Sequence, residues 1–206
     1  MRDTPVIPSA ARNLSHTPRN VLRDSPVIPS AARNLSHTPR NTKHVEHIIR
    51  EAREADKGPI VGIFNHFVRT SFAAYPDREV GLDFFDSLKS MAQGLPFLVV
   101  EVGPRVVGFG LMSRYHHSAA FHHTGVLTYF ILPEYTRLGL GSALLGKLIH
   151  EAKARDMTVL LANGSSRNEQ SLSFHHKHGF VECGRFKGIG AKFGERFDVV
   201  WMQKSL

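Results

Sequence analysis

The stretch Tyr129-Phe-Ile-Leu-Pro-Glu-Tyr-Thr-Arg-Leu-Gly-Leu-Gly-Ser142 constrains the fold more than any other part of the 206-residue chain. An apolar run ends at Pro133, a polar turn follows, and two glycines open a segment whose apolar residues recur at helical spacing. A strand that feeds a helix through so short a turn sets the helix N-terminus beside the strand's carboxyl end. Gly139 and Gly141 let a ligand approach the backbone, while the unpaired N–H groups and positive dipole end of the helix favour an anion. Two other glycine motifs fail on chemistry. The segment Gly139 to Leu144 lacks the third glycine of a dinucleotide fingerprint, and no acidic residue ends a following strand at the expected distance. The segment Gly141 to Leu148 approaches a P-loop, but Leu148 stands where a hydroxyl must bind magnesium.

The periodicity around this turn predicts a strand over 47–52 and helices over 57–69 and 81–93. A hairpin of 97–102 and 106–113 turns at Gly103-Pro104, and a strand at 127–132 continues its sheet. A helix over 140–154, a buried strand over 158–162 and a helix over 171–178, closed by Gly179, come next. Strands over 180–186 and 197–203 finish the chain. The order β-α-α-β-β-β-α-β-α-β-β is an α/β arrangement: a mixed, mostly antiparallel sheet flanked by helices, in one domain spanning 43–206.

Residues 1–42 read differently. Residues 2–21 recur as 23–42 with two differences, Thr4/Ser25 and Val21/Thr42. Each copy carries three prolines and no usable apolar face, and two copies are too few for a solenoid. The segment is expected to be disordered. It resembles a translated repeat element, which raises the alternative that translation starts at Val45.

Composition closes off several function classes. The formal charge of +8 invites a nucleic-acid reading, but half of it comes from six Arg and two Asp within residues 1–42, and the rest forms no basic block. A nucleic-acid partner is therefore not expected. No run approaches the roughly 18 apolar residues of a membrane span, and the N-terminus lacks a signal-peptide order, so the expectation is a cytoplasmic protein that does not bind membrane. Cys183 is the one cysteine, which excludes a disulfide framework and a cysteine-based zinc site. The histidine pairs His116-His117 and His122-His123 read as strand neighbours pointing to opposite faces, so no metal is expected either.

The segment Thr136-Arg-Leu-Gly139-Leu-Gly141 resembles motif A of the GCN5-related N-acetyltransferases (GNAT), Q/R-x-x-G-x-G/A, with Thr136 in place of the usual Gln or Arg. Asn163 to Phe180 resembles motif B in the form N-x-x-S-x-x-L-H-x-K-x-G-F. The segment Gly188 to Gln203 and the opening Ile63-Phe-Asn65-His-Phe are similar to the phosphinothricin acetyltransferase-like branch. The likeness spans roughly 47–206. It implies the GNAT fold, with a V-shaped opening between two parallel strands, and acetyl-CoA as cosubstrate without a metal.

By the same resemblance, Phe130, Ile131 and Leu132 would hold the pantetheine arm through their backbone. Arg137, Leu138, Gly139, Leu140, Gly141 and Ser142 would cap the pyrophosphate, and Asn168 would bond the cofactor further along. A main-chain N–H near Ile131 would hold the oxyanion of a tetrahedral intermediate formed by direct attack of a small amino-acid-like amine. His175 would protonate the leaving thiolate. Asn65, Tyr75 and Tyr129 would face the acceptor, and the branch implies a homodimer. The branch's usual glutamate before motif A is Val126 here, which leaves His122, His123 and Tyr129 as candidate proton acceptors and a non-catalytic acyl-CoA-binding module as the alternative.

Overall fold

In the computed structural model, which describes residues 45–206, seven strands hydrogen-bond into one sheet. The duplicated segment 1–42 lies outside the described residues. In chain order the elements are β1 (Ile48–Glu51), α1 (Lys57–Thr70), α2 (Asp83–Ala92), β2 (Phe97–Val102), β3 (Arg105–Arg114) and β4 (Thr124–Ile131). They continue with α3 (Leu140–Lys153), β5 (Val159–Ser165), α4 (Glu169–Lys177), β6 (Val181–Lys192) and β7 (Glu195–Ser205). The sheet order is β1-β2-β3-β4-β5-β7-β6, antiparallel throughout except between β4 and β5. Both the element order and the mixed, mostly antiparallel sheet agree with the pattern in the sequence.

The central strands are apolar on both faces because both faces are covered. Along β2, Leu98 and Val100 join a core with Met112, Leu127, Leu144, Leu145 and Leu148, under α3. The alternate residues Phe97 and Val99 join Phe109, Leu111, Ile60, Ile63, Phe64, Phe85 and Leu88, under α1 and α2. Helix α3 crosses β3 closely. A Cβ on Gly110 would stand 2.9 Å from Tyr129 Cβ and 3.1 Å from Leu144 Cδ2, so glycine is what admits the helix at that height.

Several boundaries depart from the sequence expectation, among them the end of β5, which runs to Ser165 and not 162 because it stays paired with β7. Strand β4 begins at Thr124, not 127, because its first residues pair with β3 and β5 at once. The last hairpin extends well past the predicted limits, to Lys192 and from Glu195, closed by Phe193 (φ 52°) and Gly194 (φ 77°). A two-residue turn with both φ values positive matches the right-handed strand twist. The glycine-rich run 187–194 hid it, since glycines break the alternation that marks a strand. Among the described residues no helix is long and apolar enough to cross a membrane.

Leu148 is fully buried where α3 meets the sheet. Leu148→Ala should lower unfolding stability by about 2–5 kcal/mol, read as a fall in the urea midpoint at constant m-value.

Candidate functional site

The parallel pairing of β4 with β5 is short. It joins Thr124–Leu127 to Val159–Ala162 and stops. Beyond it β4 stays on β3 as far as Ile131, and β5 stays on β7 as far as Ser165, so the two strands part and leave facing backbone edges open. Leu132 N–H donates to Val107 O on β3 at 2.9 Å. By strand alternation the N–H and C=O groups of Tyr129 and Ile131 therefore point the other way, into the splay.

The turn after β4 presents more unpaired donors. Arg137 (φ 63°) and Gly139 (φ 86°) adopt left-handed conformations, and Gly139 is the N-cap of α3. Ala143 N–H reaches Gly139 O at 3.0 Å, so the N–H groups of Leu140, Gly141 and Ser142 lie ahead of the helix's own bonds. A helix terminus of this kind accepts an anion without rearrangement. The Ser142 hydroxyl donates to His178 Nε2 at 3.0 Å, while His178 Nδ1–H bonds Phe174 O at 2.8 Å, tying α4 to the first turn of α3. At the head of α4, Asn168 Oδ1 accepts from Ser171 N–H at 3.2 Å. That leaves the Asn168 Nδ2 group for other partners.

Against this splay, on the α3–α4 face, lies a tightly coupled pair. His175 Nδ1 is 2.7 Å from Ser171 O, an acceptor only, so Nδ1 carries the proton. His175 Nε2 is then a bare lone pair in the neutral ring, and the Tyr129 hydroxyl at 2.6 Å donates to it. The phenol's proton is engaged, and its oxygen lone pairs remain as acceptors. Burial pushes the Tyr129 phenol up and the His175 imidazole down from their ordinary ranges, since each charged form would be poorly solvated there. The His178 and His176 charges add to the second effect, and the Ser171 carbonyl opposes it. The pair is neutral at pH 7.

The acetyltransferase (GNAT) family model matches residues 60–180, more than half of the chain. The chain belongs to the GNAT family. It is 34% identical over 162 residues to the L-amino acid N-acyltransferase MnaT of Escherichia coli, covering 77% of this chain and 93% of that protein. It is also 34% identical over 163 residues to the phosphinothricin N-acetyltransferase of Alcaligenes faecalis, covering 77% and 82%. Among solved structures it resembles yncA of Salmonella typhimurium with its cofactor acetyl-CoA, at 31% identity and a TM-score of 0.69, over 78% of this chain and 94% of that one. This GNAT protein is an acetyl-CoA-dependent N-acetyltransferase. The open β4 and β5 edges and the donors at the head of α3 suit an extended amide chain that ends in a pyrophosphate.

The other residues singled out in the GNAT sequence fall into two groups. Phe130 packs among Phe64, Phe67 and Phe109 at centroid distances of 5.1–5.4 Å, and Leu132 and Leu140 are buried, so none of the three side chains is open to a ligand. The backbone of Leu132 is engaged as well, its N–H by Val107 O and its C=O by Tyr135 N–H, and that of Phe130 turns to β3, so of the three residues expected to hold the pantetheine arm only Ile131 faces the splay. On the α1–α2 face, Tyr75 Oη donates to Asn163 Oδ1 at 3.2 Å, placing that tyrosine at the open end of β5, opposite Tyr129 across the sheet. Asn65 is not open to the cleft. Its Nδ2 donates to Val80 O and its Oδ1 accepts from Val80 N–H, both at 2.9 Å, so its side chain fixes the loop before α2.

Val126 pairs with Ser113 and Leu161, so the floor beside the splay carries no carboxylate at that register. His122 and His123 precede β4, about 20 Å along the strand from Tyr129, too far to serve the splay. They sit in the β3–β4 connection and not on a strand, as do His116 and His117, which corrects the stated reason for discounting a chelate. Among the described residues no group of three or more His, Cys, Asp or Glu could hold a metal ion. Sequence reasoning singled out neither Asn163, which meets Tyr75, nor Lys192: an isolated Lys near a hairpin reads as solvated, yet Lys192 is buried.

Because burial depresses it, the His175 ring should stay neutral in the Nδ1–H tautomer at pH 7 and titrate below the usual histidine range. Its contribution to stability is present above the unfolded-state value and lost as pH falls through the folded one. Nitrogen-15 chemical shifts of the imidazole across pH 4–8 read both the tautomer and the midpoint.

Proposed function

We propose that the chain acetylates the primary amine of a small amino-acid-like acceptor at the β4–β5 splay, in the phosphinothricin acetyltransferase-like branch. The observation that carries the reading is the abrupt end of the β4–β5 ladder beside a helix terminus rich in unpaired donors. The relatives named for an L-amino acid N-acyltransferase and a phosphinothricin N-acetyltransferase support the acceptor class. The catalytic domain in this reading is 43–206, with the duplicated segment dispensable, and the protein acts in the cytoplasm.

Backbone groups of Ile131, with those of Tyr129 beside it, hold the pantetheine arm, since Phe130 and Leu132 turn theirs to β3; residues Arg137 to Ser142 hold the pyrophosphate, and Asn168 donates from Nδ2. Acetyl-CoA supplies an activated acyl carbon, to which the neutral amine adds directly before the C–S bond breaks. Ile131 N–H stabilises the developing oxyanion. Tyr129 Oη accepts the proton shed by the acceptor nitrogen while its own proton passes to His175 Nε2. As sulfur leaves, Tyr129 Oη returns one proton to it and His175 gives its proton back, so no charge is left on the pair. The sequence assigned His175 the second transfer alone; in this reading the pair performs both, which removes the need for the missing glutamate at Val126. Tyr75 faces the acceptor, and Asn65 acts one step back through Val80.

A homodimer is part of the same reading. Strand β6 is a sheet edge with Val181, Phe186 and Ile189 each more than half exposed, an apolar row of the sort a second copy covers. Light scattering of the full chain at micromolar concentration should give twice the 23.0 kDa chain mass.

The direct test is acetyl-CoA-dependent CoA release by the full chain across L-amino acids, phosphinothricin, methionine sulfoximine and polyamines. Release is expected with amino-acid-like acceptors. His175→Ala and Tyr129→Phe should each lower kcat by roughly 100-fold or more, with thermal stabilisation by acetyl-CoA retained. Silence over the panel with acetyl-CoA stabilisation intact would instead mark a binding module.

A further inference from the structure

The segment that leaves α1 does not simply wander to α2. It is held by the far end of the β6–β7 hairpin. Lys192, the last residue of β6, is 3% exposed, and its Nζ donates to Ser71 O at 2.8 Å and to Ala74 O at 2.6 Å. Burying an ammonium is costly unless its protons are engaged, and its partners here are carbonyls, not carboxylates. Ser71 is the residue that ends α1, where the helix dipole places partial negative charge. A cation suits that position, yet it lies far from the helix in sequence.

The same segment is gripped by aromatic contacts. Phe72 meets Phe193 and Phe197 edge-on at 5.5 and 5.7 Å, and Tyr75 stacks on Phe197 at 5.7 Å. Gly190 makes room, since a Cβ there would clash with the Phe197 ring. One residue beyond the second carbonyl that Lys192 holds, Tyr75 reaches Asn163 on the open part of β5. Apolar contacts leave the segment free to rotate about its own axis, whereas two hydrogen bonds to carbonyls three residues apart fix that rotation, and with it the aim of Tyr75.

We propose that Lys192 is a positioning residue for the acceptor: by holding the carbonyls of Ser71 and Ala74 it sets Tyr75 against Asn163, and so shapes the acceptor-side wall of the acetyl-transfer cleft. This rests on the acetyl-transfer reading above. Lys192 touches neither substrate. Its effect belongs to the acceptor and not to acetyl-CoA, whose holding groups in that reading lie on β4, at the head of α3 and at Asn168 before α4.

The test uses the full chain and the best amino acid of the acceptor panel. Lys192→Met, which keeps the volume and loses the charge, should raise the acceptor KM roughly tenfold while the acetyl-CoA KM stays within about twofold. Lys192→Arg, which can still donate to both carbonyls, should recover most of the loss. Tyr75→Phe should raise the same KM, and the double variant Lys192→Met/Tyr75→Phe should be no worse than Lys192→Met alone. An unchanged acceptor KM, equal rises in both KM values, or additive effects in the double variant would overturn the proposal. Should Lys192→Met not fold, Lys192→Gln, which still donates but is too short to span the Ser71 and Ala74 carbonyls, takes its place, and an unaltered acceptor KM there would overturn the proposal equally. Wild-type silence over the whole panel defeats the acetyl-transfer reading itself, whereas an active wild type with an insensitive Lys192→Met defeats only this inference.

Discussion

Everything at the site depends on where one parallel ladder stops. Strands β4 and β5 share four residue pairs and then follow different neighbours, β4 its antiparallel partner β3 and β5 its antiparallel partner β7. Backbone donors and acceptors that end inside a protein without partners are costly, so such a gap persists only where something else can meet them. Because α1–α2 and α3–α4 lie on opposite faces of the sheet, the gap is reached from both: Tyr129 and His175 stand on one side, Tyr75 and Asn163 on the other. In the proposed reading the N-terminal N–H groups of α3, which begins beside the gap, complement a phosphate, with Arg137 in the turn before them.

Electrostatics at the gap favour neutrality. His175 is buried with its Nδ1 proton committed to a carbonyl, so charging it means placing a cation in a poorly solvated position. Tyr129 faces the mirror constraint, since a phenolate there is equally unfavourable. Neither group alone is a good acid or base. Coupled at 2.6 Å, the two can accept a proton at one end and release it at the other with charge present only in passing. A lone buried carboxylate would need a counter-ion, and Val126 stands where one is usual, next to Ser113 and Leu161.

The sequence made the scaffold legible for a physical reason. The patterns were clean where packing is regular, as continuous apolar runs in 97–102 and 106–113, which are covered on both faces, and as helical spacing in 140–154, which buries one face, and the glycines at 139 and 141 had few other uses at the start of a helix. The hairpin end was obscured because Gly188, Gly190 and Gly194 interrupt the apolar pattern, although Gly190 is there to admit Phe197. Side-chain roles were harder to read. Asn65 carries the chemistry of a ligand contact, and only the position of Val80 shows that both ends of its amide are engaged. Tyr129 and His175 are 46 residues apart, and nothing local to either says that one donates to the other.

The two halves of the reaction are held by different kinds of interaction, and this separates their sensitivities. In the proposed reading acetyl-CoA is held mostly by main-chain groups on β4 and at the head of α3, with Asn168 Nδ2 beside them, and main-chain contacts alter little with a side-chain change unless it moves the backbone. The proposed acceptor side is assembled from long-range contacts: Asn65 to Val80, Lys192 to Ser71 and Ala74, Tyr75 to Asn163, each between segments distant in sequence. Substitutions can therefore change which amine is accepted while the thioester site stays intact. A fold organised this way keeps one chemistry and varies its acceptor, since the loop that carries Tyr75 can be re-aimed without touching the splay.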